Sequence, residues 1–244
     1  MNKTVGKVLL LGAGEAAGKA AELLAKSGAE VVREEKGFSA KNADCDLVIE
    51  FLEADQAAKA ELLAQAAKGT KADTILATSG PYCVTEIAGA TDRPQNVIGL
   101  SFTFNPIDES KCLVQMVKGL ETSEECLEAC RALLEKAGAT PVTVQDLPGL
   151  ILDRTLASVI NEAAEMYSNG LAGFEDIDRV MRLCLNWPMG PFEFADHLGV
   201  DRVVSTLDMI ARDEPRYAPC RVLRQMVAAG KLGKKCQQGF YKYD

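Results

Sequence analysis

Two glycines separate an apolar run from an Ala- and Leu-rich stretch near the start of the chain. The run at residues 7–11 reads Lys-Val-Leu-Leu-Leu, and residues 15–27 have apolar positions at the spacing of a helix. Between them, Gly12 allows a tight turn, Gly14 lets the backbone approach a ligand, and the small Ala17 lets helix and strand pack closely. The N-terminus of the following helix offers N–H donors to an anion. The sequence therefore predicts a strand–turn–helix unit of the dinucleotide-binding type, with an ordinary glycine-rich loop as the alternative.

The rest of the N-terminal half continues this alternation of strands and helices. Strands are predicted at residues 30–33, 46–52, 73–77, 97–102, 112–117 and 141–144, and helices at 54–68 and 122–136. After residue 147 the pattern becomes helical, at 150–169, 175–185, 191–211 and 219–230, with a last short strand at 240–243. We therefore predict an α/β Rossmann-like, doubly wound domain over residues 1–147 and an all-α domain over residues 148–244. Long apolar faces at 152–167 and 191–210 predict that the helical domain packs against a second copy, as a homodimer.

The connection between the second and third predicted strands is short. Residues 36–46 leave no room for the helix and extra strand that complete a mononucleotide-binding half. This region normally walls the adenine pocket, so we predict a truncated Rossmann domain with weakened affinity for NAD. Glu34 and Glu35 end the second strand, and a carboxylate there favours NAD over NADP because it binds the adenosine ribose. We assign that role to Glu35, with a solvated charged loop as the alternative.

Charge and cysteine content disfavour several other kinds of partner. The chain has 27 Lys and Arg against 35 Asp and Glu, a net charge of −8, so nucleic acid and anionic membranes are not expected. No apolar run approaches the ~20 residues of a membrane span. The eight cysteines form no CxxC pair and the chain has one His, so no metal site is predicted. We expect reduced thiols, no signal peptide and a cytoplasmic location.

Several short motifs are spread along the chain. In the N-terminal half they are Thr-Glu-Ile-Ala at 85–88, Arg-Pro at 93–94, Val-Ile-Gly at 97–99 and Phe-Asn-Pro at 104–106. In the helical half they are Asp-Leu-Pro-Gly at 146–149, Ile-Asn-Glu-Ala at 160–163, Glu-Asp-Ile-Asp at 175–178, Pro-Met-Gly-Pro-Phe-Glu-Phe-Ala-Asp at 188–196 and Gly-Phe-Tyr at 239–241. Together they resemble the (S)-3-hydroxyacyl-CoA dehydrogenase family over nearly the whole chain apart from the shortened segment. The resemblance implies a Rossmann domain followed by a helical dimerisation domain, with an acyl-CoA bound at their junction.

The resemblance also implies a reaction, the oxidation of a 3-hydroxyacyl-CoA to the 3-ketoacyl-CoA with NAD. In the family a His takes the hydroxyl proton as hydride leaves, a Glu orients that His, and a Ser and an Asn hold the substrate oxygen. Here Ser101 stands at the position of the His and Gln115 at the position of the Glu. The family's Asn-Thr-Ser-Ser run reads Thr-Ser-Gly-Pro at 78–81, so of these four groups only the Asn survives, as Asn161. Ser79 of this run is still predicted to bind the substrate.

Around the implied site, some positions keep the family's residue and others do not. Glu50 keeps the family's Val-Ile-Glu and is predicted to bind the cofactor, whereas a second Glu expected near position 54 is Ala54, with Glu53 one place away. Asn105 and Pro106 are retained and are predicted to contact the substrate.

The loss of the His and the loss of the Glu fit each other chemically. A catalytic imidazole gains positive charge that a neighbouring carboxylate stabilises. Without the His, a buried Glu would be an unpaired charge, at a cost on the order of several kcal/mol, whereas Gln115 keeps the shape without the charge. We therefore predict a relative that binds acyl-CoA and, weakly, NAD, and whose catalysis is lost or strongly weakened. Such a chain acts alone or as the partner of an active dehydrogenase subunit.

Two alternatives stay open. In the first, the chain is an active NAD-dependent dehydrogenase of a 3-hydroxyacyl-CoA or a related CoA ester that uses a relocated acid or base. Tyr82 and Cys83 lie in the right loop for that role, whereas the charged run at 108–111 is more simply interpreted as a solvated loop, and His197 as a surface residue. In the second, the chain is a structural dimerisation module without ligands.

Overall fold

The computed structural model describes residues 4–52, 56–104 and 111–243. The chain divides into two units, residues 1–147 and residues 148–244. Each unit has a hydrophobic core of its own.

The first unit is built on a seven-strand sheet with the order β2-β1-β3-β4-β5-β6-β7. The first five strands in chain order are parallel, β6 is antiparallel to β5, and β7 is parallel to β6. The strands are β1 Lys7–Leu11, β2 Glu30–Glu34, β3 Leu47–Glu50, β4 Ile75–Thr78, β5 Val97–Phe104, β6 Cys112–Lys118 and β7 Thr140–Gln145. The helices of this unit are α1 Glu15–Ala25, α2 Gln56–Gly69, α3 Val84–Ala88 and α4 Glu124–Lys136.

The middle of the sheet is buried on both faces. Every residue of β3 and β4 is buried, as expected for parallel strands that are covered on both sides. Leu9, Leu11 and Ile98 of the flanking strands are also fully buried. The predicted α/β Rossmann-like fold followed by a helical domain is confirmed, and the short helix α3 is an addition that the sequence pattern did not predict.

The shortened segment connects β2 to β3 without a helix of its own. Residues 35–46 cross over β1 with a single 3-10 turn, Ala40–Asn42. The Glu34 carboxylate accepts hydrogen bonds from the Ser39 backbone N–H at 2.8 Å and from the Asn42 side-chain amide. In the described part of the chain no strand pairs with the outer edge of β2, where the full dinucleotide-binding order 3-2-1-4-5-6 has one.

The crossover packs onto α2 through one aromatic side chain. The Phe38 ring lies directly over Gly69, the last residue of α2, where a Cβ atom would overlap the ring. This contact gives the helix-free connection an apolar anchor.

The second unit is helical. Its helices are α5 Leu152–Ser168, α6 Phe174–Leu185, α7 Pro191–Leu198, α8 Val200–Ala211 and α9 Arg221–Ala228. The single helix predicted over 191–211 was wrong, because Gly199, at φ 95°, ends α7 before α8 begins. The strand predicted at 240–243 was also wrong: this segment takes part only in an isolated bridge between Gln238 and Lys242. None of the described helices is long and apolar enough to cross a membrane.

Two buried aspartates tie the helices of this unit to its C-terminal segment. Asp178 of α6 accepts hydrogen bonds from the backbone N–H groups of Phe192 and Glu193, at 2.8 and 3.0 Å, and from the Tyr241 hydroxyl at 2.9 Å. Asp196 of α7 accepts from the backbone of the C-terminal segment and from a tyrosine hydroxyl at distances of 2.8 to 3.0 Å. The Pro-Met-Gly-Pro and Gly-Phe-Tyr motifs are thus parts of one carboxylate-centred clamp. Burial raises the pKa of Asp178 above its ordinary value.

Candidate functional site

The glycine turn between β1 and α1 has the backbone that its sequence predicts. Gly12 and Gly14 have backbone φ angles of 132° and 104°, which residues other than glycine rarely adopt. A Cβ atom on Gly12 would lie 3.0 Å from the backbone carbon and oxygen of Phe51. Ala17 is fully buried where α1 packs, as predicted. Gly14 and Glu15 are exposed at the N-terminus of α1, so the turn and the N–H groups of this helix fit a dinucleotide pyrophosphate.

The two glutamates at the end of β2 have different surroundings. Glu34, the last residue of β2, uses its carboxylate on the crossover, as described above. Glu35, one residue beyond, is exposed. Its predicted contact with an adenosine ribose stays a prediction.

A buried ion pair lies at the carboxyl end of β3. Glu50 is fully buried, and both of its oxygens accept from the Lys59 ammonium at 3.0 Å. The same carboxylate accepts from the Thr78 hydroxyl and from the backbone N–H groups of Leu52 and Ser79, at 2.9 and 3.2 Å. All of these contacts lie within the chain. The predicted contact of Glu50 with the cofactor stays a prediction.

Lys59 is a site residue that the sequence interpretation missed. Its ammonium also donates to the Ser79 carbonyl at 2.9 Å and lies 5.3 Å from the centre of the Tyr82 ring. The signal was present in the sequence, because Lys59 shares the buried stripe of α2 with Leu63, Ala66 and Ala67. A lysine on the apolar stripe of a helix indicates a buried partner, here Glu50.

Ser101 and Gln115 are direct neighbours. They are register partners in the antiparallel pair of β5 and β6, and directly opposite residues project from the same face of a sheet. Both side chains are buried, with exposed fractions of 7% and 1%. Ser101 and Gln115 therefore face each other, and neither side chain carries a charge. Their correspondence to the family's His and Glu stays a prediction.

Of the remaining predicted residues of the first unit, the structure describes Ser79 but not Asn105 or Pro106. Ser79 follows β4, and its backbone N–H also donates to the Glu50 carbonyl at 3.1 Å. Asn105, Pro106, Ala54 and Glu53 lie outside the described residues, as do residues 108–110 of the charged run.

In the helical unit, Asn161 of α5 uses both ends of its amide inside the chain. Its Nδ2 donates to the Ala218 carbonyl at 3.1 Å, and its Oδ1 accepts from the Cys220 backbone N–H at 2.7 Å. Asn161 thus ties α5 to the segment before α9, and its role in catalysis stays a prediction. His197 is exposed on α7.

The candidate metal ligands do not cluster. Among the residues that the structure describes, no group of three or more His, Cys, Asp and Glu side chains could hold a metal ion. All eight cysteines are thiols, and burial raises the pKa of the Cys45 and Cys112 thiols to about 11.

The glycine turn, the mostly parallel sheet and the separate helical unit define a two-domain protein of the dinucleotide-binding class. Residues 32–147 match the family model "3-hydroxyacyl-CoA dehydrogenase, NAD binding domain", and residues 149–243 match "3-hydroxyacyl-CoA dehydrogenase, C-terminal domain". The chain belongs to the 3-hydroxyacyl-CoA dehydrogenase family, and the family predicted from the motifs is confirmed.

Individual relatives agree with this assignment. The chain is 43% identical over 202 residues to a probable 3-hydroxybutyryl-CoA dehydrogenase of Bacillus subtilis (strain 168), which covers 82% of this chain and 70% of the relative. It is 37% identical over 204 residues to a 3-hydroxybutyryl-CoA dehydrogenase of Clostridioides difficile, covering 82% of this chain and 72% of the relative.

Solved structures extend the similarity to the whole fold. M. tuberculosis FadB2 superposes with a TM-score of 0.92 at 27% identity, covering 99% of this chain and 100% of that one. The (S)-3-hydroxybutyryl-CoA dehydrogenase PaaH1 of Ralstonia eutropha has a TM-score of 0.91, also at 27% identity and with the same coverage.

Proposed function

We propose that the chain is an NAD-dependent oxidoreductase that interconverts a 3-hydroxyacyl-CoA and its 3-ketoacyl-CoA. The observation that carries this proposal is the glycine turn, with Gly12 and Gly14 at positive φ before α1, in a chain whose relatives are named dehydrogenases. The backbone around Ser79 supports it, because a fully buried ion pair holds that loop at the carboxyl edge of the sheet, where ligands of such folds bind.

The proposal assigns each part of the site a task. The turn and the N-terminal N–H groups of α1 would hold the pyrophosphate, Glu35 the adenosine ribose, and Ser79, Asn105, Pro106 and Asn161 the substrate. The bound nicotinamide would supply the hydride acceptor or donor. Proton transfer must come from a group other than Ser101 and Gln115, because a serine hydroxyl and a carboxamide are both very weak acids and bases.

We also propose that NAD binds more weakly than in relatives with a full-length Rossmann domain. The short crossover at residues 35–46 and the engagement of Glu34 with it both support this, since an adenine wall would come from that region. NADH fluorescence titration beside the Bacillus subtilis relative tests it. Equal dissociation constants for the two proteins would contradict the weakening.

A second candidate function is that of a binding relative without turnover, as a pseudoenzyme or as the partner of an active dehydrogenase subunit. The neutral Ser101–Gln115 pair favours this candidate, because a missing general base typically costs ~10²–10⁴ in rate.

One assay separates these functions. The purified chain, at high concentration, is mixed with acetoacetyl-CoA and NADH, and the NADH absorbance is followed while melting temperatures are recorded with each ligand. Turnover near 10 s⁻¹, an ordinary enzyme rate, supports the dehydrogenase. Stabilisation by the CoA ester without turnover favours the binding relative, and no stabilisation by either ligand favours a structural dimerisation module.

The apolar faces at 152–167 and 191–210, on which the homodimer was predicted, are buried inside the helical unit itself. We propose a homodimer instead on the exposed apolar residues of α6. Val180, Leu183 and Leu185 of α6 are large apolar residues with exposed fractions of 57%, 79% and 56%, and such a patch is typical of an interface. We further propose a cytoplasmic location, which the free state of all eight cysteines supports.

A further inference from the structure

The loop between β4 and α3 contains two side chains that can exchange a proton. The loop spans residues 79–83 and carries Tyr82 and Cys83, both half-buried. It leaves the carboxyl end of β4, and β4 pairs with β5, the strand of Ser101. A proton donor placed in this loop could replace the missing imidazole.

The surroundings of Cys83 argue against the thiol. Its Sγ donates to the Asp146 carboxylate at 3.4 Å, and burial raises its pKa. The same carboxylate accepts from the backbone N–H groups of Val84 and Thr85 at 2.8 and 2.7 Å, at the start of α3. Cys83 thus belongs to the group of contacts that fixes the beginning of this helix.

The surroundings of Tyr82 are different, because its ring is held from two sides. Gly80 has a φ of 112°, and a Cβ atom there would lie 3.2 Å from two carbons of the Tyr82 ring, so the ring folds back over the glycine. The Lys59 ammonium lies 5.3 Å from the ring centre. Lys59 also donates to the Ser79 carbonyl at 2.9 Å, so one ammonium contacts both the Tyr82 ring and Ser79, which is predicted to bind the substrate.

We propose that Tyr82 is the proton-transferring residue of this site and contacts the 3-oxygen of the CoA ester. This inference rests on the proposed dehydrogenase function. In the direction of reduction, a bound reduced nicotinamide would supply the hydride, with its electron pair, that forms the new C–H bond at C3. The carbonyl π-electron pair moves to the oxygen, which takes the hydroxyl proton of Tyr82, and the phenolate recovers a proton from water.

Phenol chemistry favours the reduction direction. A neutral tyrosine hydroxyl carries the proton that reduction of the carbonyl requires. The Lys59 ammonium, 5.3 Å from the ring centre, attracts the ring face and holds the phenol in place. Oxidation would require the phenolate and is the slower direction at neutral pH.

A binding experiment tests the contact without any turnover. Dissociation constants for acetoacetyl-CoA and butyryl-CoA, which lacks the 3-oxygen, are measured by calorimetry for the full chain, for Tyr82→Phe and for the control Tyr167→Phe. We expect the wild type to bind acetoacetyl-CoA more tightly than butyryl-CoA. In Tyr82→Phe the ratio of the two dissociation constants should shrink about tenfold, the effect of one hydrogen bond. The control should keep the preference. No preference in the wild type, or an unchanged one in Tyr82→Phe, would overturn the proposal.

Kinetics then test the proton transfer. In acetoacetyl-CoA reduction, Tyr82→Phe should lower kcat by ~10²–10⁴, with KM changed by about tenfold or less. A wild-type kcat in Tyr82→Phe, or a comparable loss in Cys83→Ala alone, would overturn the role of Tyr82. If the wild type shows the binding preference but no turnover, the contact stands and the dehydrogenase function is refuted, so the two failures are distinguishable.

Discussion

At the scale of single residues, Glu50 and Lys59 form a buried ion pair. Each is nearly or fully buried, with exposed fractions of 0% and 3%, and each satisfies the other's charge at 3.0 Å. A buried ion pair of this kind adds little to stability compared with apolar packing, but removal of one partner leaves a desolvated charge. The pair also bonds to the backbone of Ser79, which indicates a role in the position of that loop.

Replacement of Lys59 by Met should destabilise the first unit. Because Glu50 would remain buried without its partner, we expect a loss of about 3–5 kcal/mol in the free energy of unfolding, measured by urea denaturation with far-UV circular dichroism. The double variant Glu50→Gln/Lys59→Met should recover part of that loss. Arg179→Ala, which breaks an exposed ion pair with Asp176, is the control and should cost less than about 1 kcal/mol. If Lys59→Met lost as little unfolding free energy as the Arg179→Ala control, the assigned role of the pair would be refuted.

Ser101 and Gln115 permit a second test at single residues. Since the two side chains are opposite each other on one sheet face, Ser101→His with Gln115→Glu should rebuild a base and its orienting carboxylate. We expect at least tenfold more acetoacetyl-CoA reduction than in the parent chain. Gln115→Glu alone should lower the melting temperature, because it buries an unpaired charge. If the double variant gains nothing, the site differs from the family's in more than these two residues.

At the scale of elements, α6, α7 and the C-terminal segment form one clamp around Asp178 and Asp196. Asp178 accepts from the first N–H groups of α7, which have no partner inside their own helix. Gly190, just before α7, lies so close to Asp178 that a Cβ atom would overlap its carboxyl group. The glycine of the Pro-Met-Gly-Pro motif is therefore required by a close approach between two elements.

Gly190→Ala should disrupt the clamp. The added methyl group must displace the Asp178 carboxylate, so we expect a destabilisation of about 1–3 kcal/mol and a lower melting temperature in calorimetry. Gly89→Ala is the matched control, because Gly89 has an ordinary helical φ of −60° and a Cβ atom there makes only normal contacts. An equal effect of the two substitutions would show that the overlap at Gly190 is relieved without cost.

At the scale of the whole molecule, the proposed dimer depends on the exposed apolar residues of α6. A lysine in such an interface would be desolvated without a partner, so Leu183→Lys should shift the protein from dimer to monomer. The measurement is the molar mass by light scattering after size-exclusion chromatography. Leu120→Lys, at an equally exposed leucine of the first unit (83%), should leave the mass unchanged. A monomeric wild type, or a Leu183→Lys protein of unchanged mass, would contradict the proposed interface.

Much of the architecture could be predicted from the sequence because its determinants are local. The glycine turn at residues 12–14 needs only neighbouring residues to set its backbone, and the apolar runs of β3 and β4 identify buried parallel strands. The break between α7 and α8 was missed, because the apolar pattern continues through Gly199 while its positive φ ends the helix. Helix α3 was missed for another reason: it is too short to show a periodic pattern.

The sequence by itself thus determined the strand–turn–helix start, the change to helices after residue 147 and the family, since periodicity and short motifs record local conformation and ancestry. Only the tertiary structure decided that Glu50 is paired with Lys59, that Glu34 holds the crossover, that Ser101 faces Gln115 and that Tyr82 lies under an ammonium group. Each of these facts depends on which distant segments the sheet brings together. Burial then sets the energetic weight of every charge and hydrogen bond among them, because a desolvated polar group is stable only with its partner.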